Sequence, residues 1–318
     1  MSDFATTTVR ERIVRSIKTA LPQGTKTALW LLKLTIPVSF MVFLIDQWGI
    51  LKGIALVVEP FFKLIGLSGQ ASIILITSVF TNIYSVIAVM STMGIDAREG
   101  LILANMCLIS HALIVETSIQ TKTGSNPWRI VLVRLSASFL VAWLLNLLLP
   151  AHAGTITDSS ENLAKADFQE AFLVWGKAIL KTSLKIVILV NLLLILQKLL
   201  HEFGLIKWLV KPFQPLLKIM GLPSETSFLW VVAYTLGLSY GGAIMISQAE
   251  EGTLSRRHAD LLNHHIALSH SQLEDTLLFV AMGFSLPWLM FPRIVLAAVY
   301  VWLRRIELKI RSKEQTSF

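Results

Sequence analysis

Two short constellations in this chain carry residue types able to do chemistry. Ser110-His111 is followed by Glu116-Thr117, and Ser269-His270 is followed by Asp275-Thr276 at the same internal spacing. Each sets an imidazole, which exchanges protons near neutral pH, a few residues ahead of a carboxylate. Before each lies an apolar run interrupted by polar or small residues. Thr81, Asn82, Tyr84 and Ser85 interrupt the first, and Gly237, Ser239, Tyr240 and Gly241 interrupt the second. Asn105 precedes the first Ser-His pair and Asn263 the second, and the second copy adds His264, His265 and Glu274. On unbroken helices, Asn105 with Glu116 and His264 with Asp275 would share a face about 16 Å apart. His270 and Glu274 would then stand one turn apart, close enough to share a proton or a metal.

Glu116 and Asp275 lie well inside apolar runs. A charge at membrane depth costs at least about 2.5–3.5 kcal/mol on insertion scales, so an intramembrane acid or histidine points to function. The expected roles are proton coupling for Glu116, His270, Glu274 and Asp275. Substrate contact is expected from Thr81, Asn82, Tyr84, Ser85, Asn105, Ser110, His111, Gly237, Ser239, Tyr240, Gly241, Asn263 and Ser269. A buried hydrogen-bond network joining the two copies accounts for the acids and histidines equally well. A zinc or iron site from His264, His265, His270 and Glu274 is the weaker reading, because consecutive histidines face different sides of a helix and no cysteine contributes. No metal site and no cofactor are therefore assigned. Residues within one helix give no Ser-His-acid geometry, so no enzymatic activity is expected.

The elements that must position these residues are membrane helices. Of 318 residues, 54% are hydrophobic and 15% charged, and the mean hydropathy is +0.66. Soluble domains carry about 25% charged residues. Several apolar runs of about 18–25 residues can each cross a hydrocarbon core as a helix, which makes this an all-α polytopic membrane protein. The net charge of +8 comes from lysines and arginines between the apolar runs, where they set orientation rather than bind nucleic acid. The one cysteine, Cys107, lies in an apolar run and forms no disulfide framework. No secretory signal peptide is evident, and no GxxxxGK[ST] stretch exists to bind ATP or GTP.

The chain divides into a basic amphipathic segment (1–27), a first membrane repeat (28–149), a polar linker (150–171), a second repeat (172–303) and a basic tail (304–318). The duplication is specific. Pro60, Lys63, Gly66 and Leu67 match Pro215, Lys218, Gly221 and Leu222; Pro127-Trp128 matches Pro287-Trp288; Arg134 matches Arg293. Each half is expected to hold an interfacial helix and a run that is re-entrant or broken, since mid-run glycines in lipid would leave backbone groups unsatisfied. Tight helix packing is the competing reason for those glycines. If the interrupted runs dip in and return, the halves are inverted; if they cross, the halves are parallel. The inverted arrangement puts more of the 28 lysines and arginines on the cytoplasmic side.

On the Lys-x-x-Gly-Leu endings (Lys63 to Leu67, Lys218 to Leu222), the Gly/Ser/Tyr-interrupted run and the polar helix that follows it, the chain resembles the nucleoside-recognition, or Gate-domain, membrane proteins. The resemblance covers both halves. It is shared with concentrative nucleoside transporters, the membrane part of ferrous-iron transporters and paired spore-maturation proteins. It implies an inverted repeat with re-entrant hairpins around a midplane site. Thr81, Asn82, Tyr84 and Ser85, with Ser239 and Tyr240, stand where nucleoside transporters carry a Gln-Thr-Glu-like tip.

The leading expectation is a secondary transporter of the bacterial inner membrane with both termini cytoplasmic. It would move a small polar solute or ion, a nucleoside-like molecule included, by proton-coupled alternating access. The alternatives are a non-transporting assembly subunit in cell-envelope work and a divalent-metal transporter. The expected partners are the bilayer, the solute, and a second copy or a membrane partner subunit.

Overall fold

The computed structural model describes residues 8–93, 95–150 and 168–315. Most of the expected 150–171 linker, the turn residue Gly94 and both extreme ends lie outside the described residues. Within them every regular element is helical.

The first half comprises α1 (Val9–Gln47), α2 (Ile50–Lys63), α3 (Ala71–Phe80), α4 (Ile83–Thr92), α5 (Ala97–Ser110), α6 (Leu113–Lys122) and α7 (Pro127–Leu148). The second comprises α8 (Phe168–Glu202), α9 (Leu205–Ile219), α10 (Ser227–Glu250), α11 (Arg256–Ser269), α12 (Glu274–Val280) and α13 (Leu286–Gln315). The order is the same in both, except that α10 alone stands where α3 and α4 stand in the first half. Among the described residues, five stretches are long and apolar enough to cross a membrane: Val9–Gln47, Ala97–Lys122, Pro127–Leu148, Phe168–Glu202 and Leu286–Arg311. Large apolar side chains such as Leu132, Leu147, Leu180 and Leu184 stand exposed along these helices. Water would penalise such surfaces, whereas hydrocarbon accepts them.

Helix starts follow local chemistry. Thr8 and Glu11 form a reciprocal capping box at the head of α1, and the side chains of Asp96, Asn126 and Ser255 cap α5, α7 and α11. The amphipathic segment and the first span prove to be one helix, because α1 runs unbroken through residues 27 and 28 despite Pro22 and Pro37. Likewise α13 continues through residue 303 into the basic tail. Gly49 and Gly204, both left-handed, turn the chain into the amphipathic α2 and α9.

The two interrupted runs fold back on themselves. In the first, α3 stops at Thr81 and Asn82 restarts the chain, its side-chain oxygen accepting from Ser85 N at 3.0 Å. In the second, Gly237 takes φ 80°, ψ 169°, a conformation essentially reserved for glycine. A Cβ on Gly241 would lie 3.1 Å from the Cα of Ala233. Eight residues along a straight helix span about 12 Å, so the two arms of α10 lie against each other as a hairpin. Gly241 is the residue that lets them meet.

Counterpart helices of the two halves run antiparallel. Along α1 and α8, Arg12 and Arg15 reach Glu202, Gly24 meets Asn191, and Ser39 accepts from Trp175 Nε1 at 3.2 Å. Further on, Phe43 packs on Phe168 and Phe172. Along α7 and α13, Arg129 forms a two-bond pair with Glu307, and Ser136 meets the Tyr300 hydroxyl at 2.8 Å.

Candidate functional site

The two Ser-His motifs do not lie on continuous helices. After Ser110 the chain leaves the helix at His111, passes Ala112 at φ 45° and re-enters a helix at Leu113. After Ser269 it leaves at His270, passes Ser271 at φ 49° and resumes at Glu274. Two non-glycine residues in the left-handed region at matching places indicate a conformation held by its surroundings. Those surroundings are the hairpins: Ala112 N donates to Ser78 O at 2.9 Å and Thr81 O at 2.7 Å, and Ser271 N donates to Ala233 O at 3.0 Å.

A broken helix exposes carbonyls that no amide can meet. Two fully buried arginines meet them. Arg134 Nε donates to Ile109 O at 2.7 Å and its Nη2 to His111 O at 2.7 Å. Arg293 repeats this on Leu268 O at 3.2 Å and His270 O at 3.0 Å. Each cation thus caps the negative end of a half-helix dipole inside the protein.

The breaks bring the histidines and acids of both halves together. The rings of His111 and His270 stand 5.2 Å apart. Glu116 Oε1 lies 3.1 Å from both Nε2 atoms, and Glu116 Oε2 lies 2.8 Å from Arg134 Nη2. Asp275 Oδ2 lies 3.4 Å from His111 Nε2. Each half's histidine therefore faces the other half's acid. Both Nδ1 atoms face backbone carbonyls, His111 on Cys107 O at 3.1 Å and His270 on Ile266 O at 2.7 Å.

Beside this cluster is a cavity of about 460 Å³ between the halves. Thr81, Asn82, Tyr84, His111, Glu116, Gly237, Glu274 and Asp275 line it, so both hairpin tips and residues of both motifs meet there. Across it the Tyr84 hydroxyl donates to Glu274 Oε1 at 2.9 Å, joining α4 to α12.

Other expected site residues are placed elsewhere. Asn105 is buried and donates to Leu101 O and Trp288 O. Ser110 donates back to Met106 O, and Ser85 is bound to the Asn82 cap. Asn263 ties Gln120, Thr123 and Ser125 of the α6–α7 connection. Ser269 contacts the Tyr234 hydroxyl and His265. Tyr240 is 47% exposed and does not line the cavity, while Gly241 serves the hairpin contact. The side chain of Ser239 lies outside those described.

The one-turn pairing of His270 with Glu274 is also corrected. The helix ends between them, and Glu274 turns to Tyr84 while His270 turns to Glu116. The same breaks rule out single helical faces running from Asn105 to Glu116 and from His264 to Asp275. His264 bonds Asp260 O, and His265 lies among Trp230, Tyr234 and Met220, so neither joins His270 in a metal cage. The set that does converge is His111, His270 and Asp275, whose ligand atoms all lie within 4.8 Å of one another.

Sequence reasoning missed the arginines as site residues and missed Ser271. Arg134 carried a usable signal: it is a charge inside the apolar run Ile130 to Leu149. Ser271 carried none, because its role comes from backbone conformation.

The fold and site together define an all-α polytopic membrane protein with a buried polar centre. The chain is 28% identical over 285 residues to the uncharacterized membrane protein YvoD of Bacillus subtilis (strain 168), covering 88% of this chain and 90% of that protein. No family model matches the chain, and no solved structure matches it significantly.

Proposed function

We propose that the protein is a secondary transporter of the bacterial inner membrane, moving a small polar solute or ion by alternating access around the cavity between its halves. The observation that carries this reading is the meeting, at one cavity, of two folded-back chain breaks and a buried histidine–acid cluster. Broken elements in corresponding positions of two repeats are where transporter folds bind their cargo. The antiparallel course of α1 against α8 and of α7 against α13 supports inverted halves, with both termini cytoplasmic and the hairpins entering from opposite sides. The resemblance to Gate-domain membrane proteins supports the same reading. Glu116, Asp275 and the two histidines form the proton-exchanging centre, since each imidazole can hand a proton to the opposite half's carboxylate.

The test is two-sided access. In a Cys107→Ala background, Thr81→Cys at one hairpin tip and Leu236→Cys at the other are labelled with a membrane-impermeant thiol reagent in right-side-out and inside-out vesicles. A transporter exposes the same positions to both sides in turn. Protection from one side throughout would support a non-transporting membrane subunit instead.

A further inference from the structure

We propose that His111, His270 and Asp275 form a three-ligand site for a divalent first-row transition-metal ion, with Glu116 beside it; that the ion is cargo rests on the transport reading above. The argument begins with proton positions. Each Nδ1 faces a backbone carbonyl, an acceptor that an N–H satisfies, so the neutral tautomer that meets this carbonyl carries its proton on Nδ1 in both residues. This leaves the Nε2 lone pairs pointing at the cluster. There they meet Glu116 Oε1 at 3.1 Å and 3.1 Å, and Asp275 Oδ2 at 3.4 Å from His111. All four atoms are acceptors. Lone pairs this close without a donor repel, and only an electrophile among them, a metal ion or added protons, makes the arrangement favourable.

The ligand atoms of His111, His270 and Asp275 lie within 4.8 Å of one another, so small side-chain rotations bring them to a metal's spacing. Ligand atoms about 2.0–2.1 Å from a tetrahedral ion lie about 3.3–3.4 Å from one another. Imidazole nitrogen with carboxylate oxygen selects zinc, iron or cobalt over calcium and magnesium, which take oxygen cages. The carbonyls behind each Nδ1 are the usual outer partners that orient metal-binding histidines.

The charges facing the cluster agree. Arg134 holds the second oxygen of Glu116 at 2.8 Å, and Arg293 lies within electrostatic reach of Asp275. Glu274 lines the adjoining cavity, held by Tyr84. With neutral imidazoles, three carboxyl groups face two guanidiniums, an acid-rich setting that favours a cation over an anion. Sequence position alone hid the set, because His111 belongs to the first half and His270 and Asp275 to the second.

The experiment is equilibrium binding of Zn2+ and Co2+ to untagged, full-length protein in detergent. We expect one ion per chain, with Co2+ giving the intense visible bands of a tetrahedral site, and weaker binding at acid pH as protons compete. His111→Ala and His270→Ala should each weaken Zn2+ by well over tenfold, the low end for losing even an outer partner. Asp275→Asn, which keeps side-chain volume, provides a second route if either alanine variant does not fold, and should also weaken Zn2+ by more than tenfold. His258→Ala, outside the cluster, should change nothing. Absence of saturable binding overturns the proposal, as does binding that folded His111→Ala or Asp275→Asn leaves within about threefold. Vesicles loaded with a zinc dye separate the two claims: binding without uptake sinks the claim that the ion is cargo and leaves the site.

Discussion

Arg134 offers the sharpest test of how the broken helices are held. It is fully buried and makes three close contacts, to Ile109 O, His111 O and Glu116 Oε2. Arg134→Met keeps much of the side-chain volume but leaves a buried carboxylate unpaired and two helix-end carbonyls unmet. Removing one member of a buried ion pair costs about 3–5 kcal/mol. Arg293 supplies the control: it caps the equivalent carbonyls, but its third contact is the Thr276 hydroxyl at 3.2 Å. Arg293→Met should therefore cost less, about 1–3 kcal/mol, the loss expected when buried acceptors go unmet. The assay is reversible unfolding in mixed detergent–SDS micelles followed by tryptophan fluorescence. Adding Glu116→Gln to Arg134→Met should recover at least about 2 kcal/mol, since the stranded charge is gone. A loss below about 1 kcal/mol for Arg134→Met would refute the reasoning, and so would strict additivity with Glu116→Gln.

The hairpin contact in α10 is equally open to test. Gly241→Val would drive a branched side chain into the Ala233 backbone, only 3.1 Å from the first added carbon. Overpacking of this kind costs about 1–3 kcal/mol, and a neutral result in the same unfolding assay would mean that the arms are apart. Gly237→Ala at φ 80° should cost a similar ~1–3 kcal/mol through backbone strain. Tyr84→Phe removes the bond from α4 to Glu274 across the cavity. Losing a bond worth about 1.4 kcal/mol or more should speed labelling of Thr81→Cys roughly tenfold; an unchanged rate would show that the contact does not latch the halves.

Much of the architecture was legible in the residues. Apolar run lengths and the low charge content imply membrane helices, because hydrocarbon offers the backbone no partners. Matched landmarks such as Lys63–Leu67 with Lys218–Leu222 pointed to a duplication, and both turns carry a left-handed glycine, Gly66 and Gly221, at the same point. Glycines 237 and 241 marked a break, and the fold places it at Gly237. The breaks at His111 and His270 were not legible. Ser-His-Ala and Ser-His-Ser carry no helix-stopping residue, and both would continue a helix by local preference.

The sequence by itself therefore determined the class and named most of the polar residues around the cavity, since these depend on composition and on spacing along the chain. Only the tertiary structure decided which of them meet. A charged arginine from α7 or α13 meets the carbonyls that each break exposes, and the hairpin carbonyls capture the left-handed residue beyond it. Those long-range contacts make the interruption stable, turn His111 and His270 toward each other, and separate His270 from Glu274. A local sequence pattern cannot encode that outcome, because the groups that satisfy each break lie more than twenty residues away along the chain.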